Sequence, residues 1–264
     1  MSLKGVYKTE KKDGTVYYRA SFTYKGKHIA LGSSQSESLA AQMYEEACRL
    51  CEGVGGIEDY KSSMALGFDK YVSIVNFRDN GIYLPNPIYV RKLYFSYYLE
   101  PFVEMRFSAD DLFYYMNHRI LKRGGHLYVN DYGSQISLGR RYGIKSYARE
   151  GKDYRFKNSD RLDYRYENLE IINTYHGVSL VKHNGKNLYR VKIHVRSDIV
   201  VGYYDDALEA AVAYNKAADI LKSKGVGKNF MMNFVEEIGP KQYASLYTEI
   251  KVSKNIESFE NICH

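Results

Sequence analysis

The chain has 264 residues, 45% hydrophobic and 26% charged, a composition that fits an ordinary globular protein of two or three small domains. Lysine and arginine outnumber aspartate and glutamate by 38 to 31, and the net charge of +7 favours an anionic partner. We recognise neither an apolar stretch of membrane length nor a signal-peptide pattern, so we expect an intracellular protein with no membrane partner.

The first segment, residues 1–56, is expected to form a small sheet with one helix. Val16 to Tyr24 alternates two sets of side chains, which predicts a β-strand between two turns, and His28 to Leu31 is expected to be a further strand. Apolar side chains recur at helical spacing from Ser36 to Cys51. The pattern therefore predicts three antiparallel strands with one helix packed behind them.

The cysteines do not indicate a disulfide framework or a metal site. Three thiols cannot all pair, and Cys48-x-x-Cys51 falls inside the predicted helix without a second pair that would complete a zinc site. We expect core or surface thiols, and neither a metal nor a cofactor is predicted.

The middle of the chain combines a predicted helix with a basic stretch. Ser108 to Asp111 has the pattern of a helix N-cap, apolar side chains follow at helical spacing through Ile120, and Gly124-Gly125 is expected to stop the helix. Residues 140–165 then hold nine basic and four acidic side chains. Such a stretch favours contact with a phosphate backbone, although a solvated surface would also explain it.

A second copy of the first segment follows. The strand Tyr18-Arg19-Ala20-Ser21-Phe22 corresponds to Tyr189-Arg190-Val191-Lys192-Ile193, and Gly5-Val6 corresponds to Gly177-Val178. The offset between the copies falls only from 172 to 170 residues, so one or two small deletions reconcile them. Two copies of one module in a basic chain predict contact with a long, repetitive partner, of which duplex DNA is the leading candidate.

The second copy resembles the Apetala-two/ethylene-response-factor DNA-binding domain over about fifty residues. The matching features include Gly202-Tyr203-Tyr204, the helix from Ala207 to Ala218 and the closing Asn229-Phe230. The first copy resembles the family more weakly, because it lacks the closing Asn-Phe. The resemblance implies that outward side chains of the strands read DNA. By position these are Tyr7, Thr9, Lys11, Arg19, Ser21, Thr23 and His28 in the first copy, and Ser179, His183, Arg190, Lys192, His194 and Arg196 in the second.

Residues 158–174 resemble the Asp-His-x-x-Gly-x-x-Leu-Asp-Asn-Arg-x-x-Asn-Leu stretch of HNH homing endonucleases, with Asn168 at the structural Asn. The resemblance implies a ββα fold. An ungapped match puts Phe156 at the general-base histidine and Arg155 at a metal-binding aspartate. Arginine repels a cation and offers a fork to phosphate, so we expect a nuclease module that has lost catalysis but still grips DNA. Its predicted DNA contacts are Arg140, Arg141, Lys152, Arg155 and Lys157.

The expected architecture is α+β. Apetala-like modules at 1–56 and 176–234 flank a degenerate HNH-like ββα domain with a helical insertion at 57–175, and a helical tail follows at 235–264. The tail is amphipathic from Tyr243 to Ile250, which allows it to pack back or to pair with a second subunit in a homodimer.

Three functions remain open from the sequence. The preferred one is a non-catalytic, sequence-specific double-stranded DNA-binding protein, a transcriptional regulator derived from a homing endonuclease. The second is an active homing or restriction endonuclease with a rearranged site, drawn from Asp153, His118, His126, His176 and Asn168. The third is a structural or interaction protein that reuses these folds without DNA.

Overall fold

The computed structural model describes residues 3–131 and 133–260. The fold is α+β, as predicted, and contains several small antiparallel sheets with helices packed on them. Within the described residues the chain divides into two compact units. One comprises the residues up to Leu138 together with Asn158–Leu169, and the other comprises Gly139–Lys157 and the chain from Glu170 onward. No helix in the described ranges is long and apolar enough to cross a bilayer.

The first module has the predicted three strands and one helix. The strands β1 (Val6–Glu10), β2 (Val16–Tyr24) and β3 (Lys27–Ser34) form an antiparallel sheet in sequence order. Helix α1 (Glu37–Cys51) begins where the Ser36 hydroxyl accepts a hydrogen bond from the backbone N–H of Leu39 at 3.3 Å. The buried face of the sheet packs on this helix through Val6, Ala20, Phe22, Ile29, Leu31, Ala40, Met43, Ala47 and Leu50.

The core of the first module continues beyond residue 56. Helix α2 (Phe68–Asn80) adds Tyr71, Ile74, Val75 and Phe77 to the same cluster of buried side chains. A further sheet follows, built from β4 (Ile88–Val90), β5 (Tyr94–Glu100) and β6 (Val103–Ser108). Its buried rings include Phe95, Tyr97 and Phe107, so many tyrosines and phenylalanines of this region are core residues.

The helix predicted from Ser108 toward Gly124 is shorter than expected. A 3₁₀ turn at Ala109–Asp111 leads into α3 (Leu112–Asn117), which stops at His118. Residues Ile120–Arg123 form a strand, β7, that pairs with β8 (His126–Asp131), and β8 pairs in turn with β9 (Ser134–Ser137). Gly124 and Gly125 both have positive φ, at 56° and 81°, so they make a tight hairpin turn rather than a helix stop.

The segment for which the sequence predicts a ββα unit contains one two-stranded sheet. After a 3₁₀ turn at Leu138–Tyr142, strands β10 (Tyr154–Phe156) and β11 (Leu169–Ile171) form a two-stranded sheet. No helix follows β11, because residues 172–177 run directly into the next strand. The predicted central domain therefore contains two paired strands at this place and lacks the helix that would complete ββα.

The loop between β10 and β11 is held by buried polar side chains. Asn168 donates its Nδ2–H to the carbonyl of Asp163 at 2.8 Å and accepts the N–H of Asn158 at 2.9 Å. Burial alone would raise the pKa of Asp163, but its hydrogen bonds and its ion pair with Arg165 at 2.7 Å outweigh burial and lower it. Asn168 is thus a buried side chain that fixes the path of this loop.

The second module repeats the first. It consists of β12 (Val178–His183), β13 (Lys186–His194), β14 (Asp198–Tyr204) and α4 (Ala207–Ser223), and Asp206 caps the helix as Ser36 does in the first copy. Both sheets carry a register shift at the same place, after Ala20 and after Val191. Counted between equivalent paired residues, each hairpin is one residue shorter in the second copy, which accounts for the drift of the offset: the pairs are Tyr7–Arg19 against Ser179–Arg190, and Thr23–His28 against His194–Asp198.

One close contact is repeated in both modules. Gly5 and Gly177 have φ of 73° and 74°, and a Cβ on either would overlap the ring of Tyr44 or Tyr214. The carbonyl of each glycine accepts a backbone N–H from the central strand, from Ser21 at 2.9 Å and from Lys192 at 2.8 Å. The sequence match at these positions therefore reflects a shared packing requirement.

The tail packs back on the second module. Helix α5 (Pro240–Glu249) lays Tyr243, Leu246 and Tyr247 against the core, and a short helix, α6 (Lys254–Glu257), buries Ile256. The Ser253 N–H donates to the carbonyl of Val201 at 2.7 Å, which ties the tail to the edge strand β14. Of the two arrangements predicted for the tail, the structure shows the first.

Candidate nucleic-acid interface

The outward face of the second sheet brings together four of the six side chains predicted to contact DNA in the second copy. Cross-strand partners share a face of an antiparallel sheet, and the register pairs Ser179 with Arg190 and His194 with Asp198. The alternate side chains, such as Val191 and Ile193, are buried against α4. Ser179, Arg190, Lys192 and His194 therefore lie together on the face that the helix leaves open.

This face forms the floor of a groove of about 570 Å³ within the second unit. The rest of its lining comes from residues 147–153 before β10, from residues 228–231 after α4, and from His176, Gly177 and Tyr214. The groove has five basic and two acidic side chains, and its basic members come from three parts of the chain. The lining residues are Tyr147, Arg149, Lys152, Asp153, His176, Gly177, Ser179, Arg190, Lys192, His194, Asp198, Tyr214, Lys228, Asn229, Phe230 and Met231.

Arg190 has an unsatisfied donor in this groove. Its Nε is buried and has no hydrogen-bond partner within the described ranges. A buried donor without an acceptor costs about 1–3 kcal/mol, and that cost is relieved when the guanidinium turns to meet an acceptor. The side chain is therefore suited to a ligand that brings oxygen or ring-nitrogen acceptors.

The end of the groove carries a small charge network. His194 Nδ1 lies 2.9 Å from Asp198 Oδ1, and Lys192 Nζ lies 3.6 Å from Asp198 Oδ2. The hydrogen bond from His194, and then the charge of Lys192, lower the pKa of Asp198. Lys228 Nζ donates to the carbonyl of His194 at 2.9 Å, which places a further positive charge at this end.

His176 lies in the wall of the groove between two aromatic rings. Its imidazole makes edge-on contacts with Tyr147 at 4.5 Å and Tyr214 at 5.3 Å between ring centroids. Burial lowers its pKa, the charge of Lys228 lowers it further, and Asp153 partly opposes both. The groove thus has a histidine that burial and a neighbouring cation hold toward its neutral form.

The outward face of the first module forms a groove of similar size and different chemistry. Its volume is also about 570 Å³, and Tyr7, Thr9, Arg19, Ser21 and His28 line it together with Ala20, Ala30, Gly32 and Ser33. Arg19 donates to the Tyr17 hydroxyl at 2.7 Å. Ser21 is only 9% exposed, although it lies between the exposed Arg19 and Thr23 on the same strand. It is less accessible than its predicted role requires.

The remaining predicted contacts lie apart from the linings of these two grooves. In the first module, Lys11 and Thr23 are exposed. His183 stacks on Tyr203 at 4.1 Å between centroids, farther along the outward face of the second sheet. Arg155 is ion-paired with Glu170 at 2.8 Å, so its fork is already engaged. The others, all exposed, are Arg140, Arg141, Lys157 and Arg196.

The candidates for a rearranged nuclease site are only partly brought together. Asp153 and His176 line the same groove, whereas His118, His126 and Asn168 belong to the other compact unit. Both carboxylate oxygens of Asp153 already accept hydrogen bonds, from the Arg149 N–H at 2.9 Å and from Asn173 Nδ2 at 3.2 Å. Residues 3–131 and 133–260 contain no group of three or more His, Cys, Asp or Glu side chains suited to a metal ion.

Sequence reasoning gave no role to three charged members of the second groove. Arg149 was counted in the basic stretch but given no role, and Lys228 directly precedes the matched Asn229-Phe230. Asp198 begins β14, and only the cross-strand register brings its carboxylate beside His194. Proximity in sequence to matched motifs could have singled out Lys228, whereas Asp198 needed the sheet.

Comparison of the chain with protein-family models, with curated proteins and with solved structures found no match.

Proposed function

We propose that the protein binds double-stranded DNA sequence-specifically, through the outward strand faces of its two modules, and that it regulates transcription without cutting DNA. The observation that carries this proposal is the groove on the second sheet, in which Arg149, Lys152, Lys192 and Lys228 lie around Arg190, whose Nε has no acceptor among the described residues. Clustered positive charge on a concave face attracts a phosphate backbone.

The size of the sheet supports a duplex as the partner. Neighbouring strands lie about 4.8 Å apart, so three strands span about 10 Å between outer backbones. The major groove of B-DNA is about 12 Å wide and admits such a ribbon. Arginine can pair with both acceptors of guanine, and serine can contact several base edges, so Arg190 and Ser179 suit direct readout from the centre of the face.

The absence of cutting in the proposal rests on the residues at the HNH-like positions. Phe156 is buried and cannot take a proton from water, and Arg155 is held by Glu170. Asp153, the nearest alternative ligand, uses its carboxylate to fix the turn from Arg149 to Asp153. These positions therefore offer neither a general base nor a free metal ligand.

Selection from random duplexes followed by gel-shift measurement tests the proposal. We expect one sequence, or a small set, to bind at least a thousandfold more tightly than bulk duplex at physiological salt, a ratio of about 10³ or more being usual for specific binding. Equal affinity for every duplex would reject sequence-specific binding. A reporter gene carrying the selected sequence then tests regulation.

An endonuclease is the alternative, and the shared groove of Asp153 and His176 is the observation in its favour. Incubation of plasmid DNA with the protein and magnesium or manganese separates the two functions. We expect intact plasmid. Metal-dependent cutting that is lost in His176→Ala or Asp153→Asn would establish the alternative instead.

A further inference from the structure

We propose that Arg149, Lys152 and Lys228 form a phosphate clamp beside the second sheet, held in place by the buried amides Asn173 and Asn233, and that one strand of the DNA backbone lies in this clamp. The inference rests on the proposed function and deepens it, because it separates backbone gripping from base reading within one groove. The three cations lie outside the strands that form the reading face.

The first wall of the clamp is a fixed turn. The carbonyl of Arg149 accepts the N–H groups of Lys152 at 3.2 Å and Asp153 at 2.8 Å, and the Asp153 carboxylate accepts the Arg149 N–H at 2.9 Å. Arg149 and Lys152 are exposed on this turn. These hydrogen bonds fix the backbone of the turn. A ligand that binds Arg149 and Lys152 therefore does not have to order the loop first.

Asn173 joins this turn to the reading sheet. Its Nδ2 donates to the carbonyl of Lys152 at 2.7 Å, and its Oδ1 accepts the backbone N–H of Leu180 on β12 at 3.1 Å. The side chain is only 7% exposed, so these bonds are shielded from water. The position of the first wall is therefore set by the strand that carries Ser179.

The second wall is fixed in a corresponding way. Asn233, 8% exposed, accepts the His176 N–H at 2.7 Å and donates to the His176 carbonyl at 3.0 Å. Its backbone exchanges two hydrogen bonds with the buried side chain of Asn215 on α4, both at 2.8 Å. Asn233 thus joins the segment after α4, which includes Lys228, to His176 just before β12. Lys228 itself donates to the carbonyl of His194 at the end of β13.

The charges of the clamp are not neutralised within the protein. No ion pair engages Arg149, Lys152 or Lys228 within the described residues, whereas Arg155 and Arg165 in the same basic stretch are paired with Glu170 and Asp163. Positive charges held together on rigid segments repel each other, and an anion relieves that repulsion. A polyanionic backbone supplies several phosphates at once, which a free phosphate cannot do.

The experiment compares duplex binding of the whole chain and of a triple variant, Arg149→Ala/Lys152→Ala/Lys228→Ala, across salt concentrations. Each cation that meets a phosphate contributes about 0.9 to the slope of log affinity against log salt. We expect the triple variant to lower that slope by about 2–3 and to weaken selected and unrelated duplexes by the same factor. The matched control is Lys222→Ala, which removes an exposed charge on α4 outside the groove lining.

The results separate the inference from the function on which it rests. Specific binding that survives in the triple variant with the slope of the Lys222→Ala control would overturn the clamp and leave the proposed function standing. A loss confined to the selected sequence would also overturn it, because it would assign the three residues to base reading. Absence of preferential binding in the unmodified protein would instead reject the proposed function.

Asn173→Ala tests the positioning role. The variant loses the bonds to the Lys152 carbonyl and to β12 but keeps all charges. We expect a smaller salt slope with unchanged sequence preference, measured at a temperature where circular dichroism shows a folded chain. An unchanged slope would remove Asn173 from the clamp. Titration with inorganic phosphate tests whether the site takes single phosphates. If millimolar phosphate displaces duplex from the unmodified protein but not from the triple variant, the three residues bind single phosphates and the clamp is rejected.

Discussion

The two modules share their construction and differ in the faces they expose. Both place an arginine in the middle of the central strand, Arg19 and Arg190, next to the same register shift and above the same glycine–tyrosine contact. The residue two positions later is Ser21 in the first copy and Lys192 in the second, and Thr23 corresponds to His194. The framework is thus common to both copies, and the charge is concentrated in one.

The difference extends to what covers each module. The first is extended by α2, whose aromatic side chains join its core, and its groove is lined by the module alone. The second is closed by the tail, and segments outside the module add Arg149, Lys152 and Lys228 to its groove. On the proposed function, we expect the second copy to supply most of the affinity for DNA and the first to add selectivity through hydroxyls, a phenol ring and a single arginine.

The largest effect on the shared framework is expected from substitution of Gly5 or Gly177. Gly177→Ala would place a Cβ 2.5 Å from the Tyr214 ring at a φ of 74°. Left-handed backbone costs about 1–2 kcal/mol for a residue with a Cβ. Overpacking adds typically about 1–3 kcal/mol. We therefore expect a loss of roughly 2–5 kcal/mol in the free energy of unfolding, measured with urea, and a similar loss for Gly5→Ala.

Matched controls isolate the steric part of that loss. Gly185 and Gly26 have φ of 80° and 75° in hairpin turns, and an added Cβ would meet nothing within 4 Å at either. Gly185→Ala and Gly26→Ala should therefore show the backbone cost alone. If Gly177→Ala and Gly185→Ala were equally mild, the repeated glycine–tyrosine contact would not be a packing requirement, and the likeness of the two modules would lose its main structural support.

The next largest effect is expected at the paired arginines. Arg190→Ala and Arg19→Ala should each weaken binding to the selected sequence by about 1–3 kcal/mol and relax preference at one base position. Arginine to lysine at the same sites keeps the charge and loses the fork, so it should lose selectivity while it retains affinity for unrelated duplex. Competition gel shifts with single-base variants of the selected site measure both quantities.

Two results would change the comparison. A uniform loss on all duplexes for Arg190→Ala would make this residue a phosphate contact like the clamp. No effect of Arg19→Ala, with a clear effect of Arg190→Ala, would leave the second module as the only reading face.

Much of the framework could be predicted from sequence because it depends on local patterns. Alternation from Val16 to Tyr24 and helical spacing after Ser36 gave the first module, and the repeat then gave the second. Strand pairing and packing between distant segments were harder to predict from the sequence. Gly124-Gly125 was expected to stop a helix and instead turns a hairpin, because paired strands β7 and β8 outweigh the helical spacing of Leu112 to Ile120.

The candidate site was predictable only for side chains on regular strands. Ser179, Arg190, Lys192 and His194 follow from alternation once the strand is identified. The walls of the groove come from irregular segments fixed by Asn173 and Asn233, and no periodicity reveals which way such segments turn. Ser21 shows the same limit inside a strand, since it is buried although alternation alone would expose it.

A smaller effect is expected from pH, at the residue before the shared glycine. This residue is the exposed Lys4 in the first copy and His176 in the second. Because burial and Lys228 lower the pKa of His176 in the folded chain, the folded state binds fewer protons than the unfolded state below the ordinary histidine value. The free energy of unfolding should therefore fall as pH drops through about 6.5 and onward through the lowered pKa.

His176→Gln checks this pH dependence. The variant has no proton to take up at this position, so its free energy of unfolding should change less between pH 7 and pH 5 than that of the unmodified chain. His183→Gln, the same substitution at a residue that stacks on Tyr203, serves as the control. Parallel pH profiles for the unmodified protein and His176→Gln would show that His176 contributes nothing to the pH dependence.

The last comparison concerns the helices of the two modules, where Cys51 in the first stands at the position of the buried Leu221 in the second. Burial, with a contribution from the charge of Cys48, raises the pKa of the Cys51 thiol to about 11. At pH 8 very little thiolate is then present, and the thiolate is the species that reacts with alkylating reagents. We expect Cys51 to be alkylated far more slowly in the folded chain than in urea, as measured by peptide mass spectrometry. Equal rates in the two states would mean that α1 exposes this position, and that the helix of the first module is not packed as α4 is in the second.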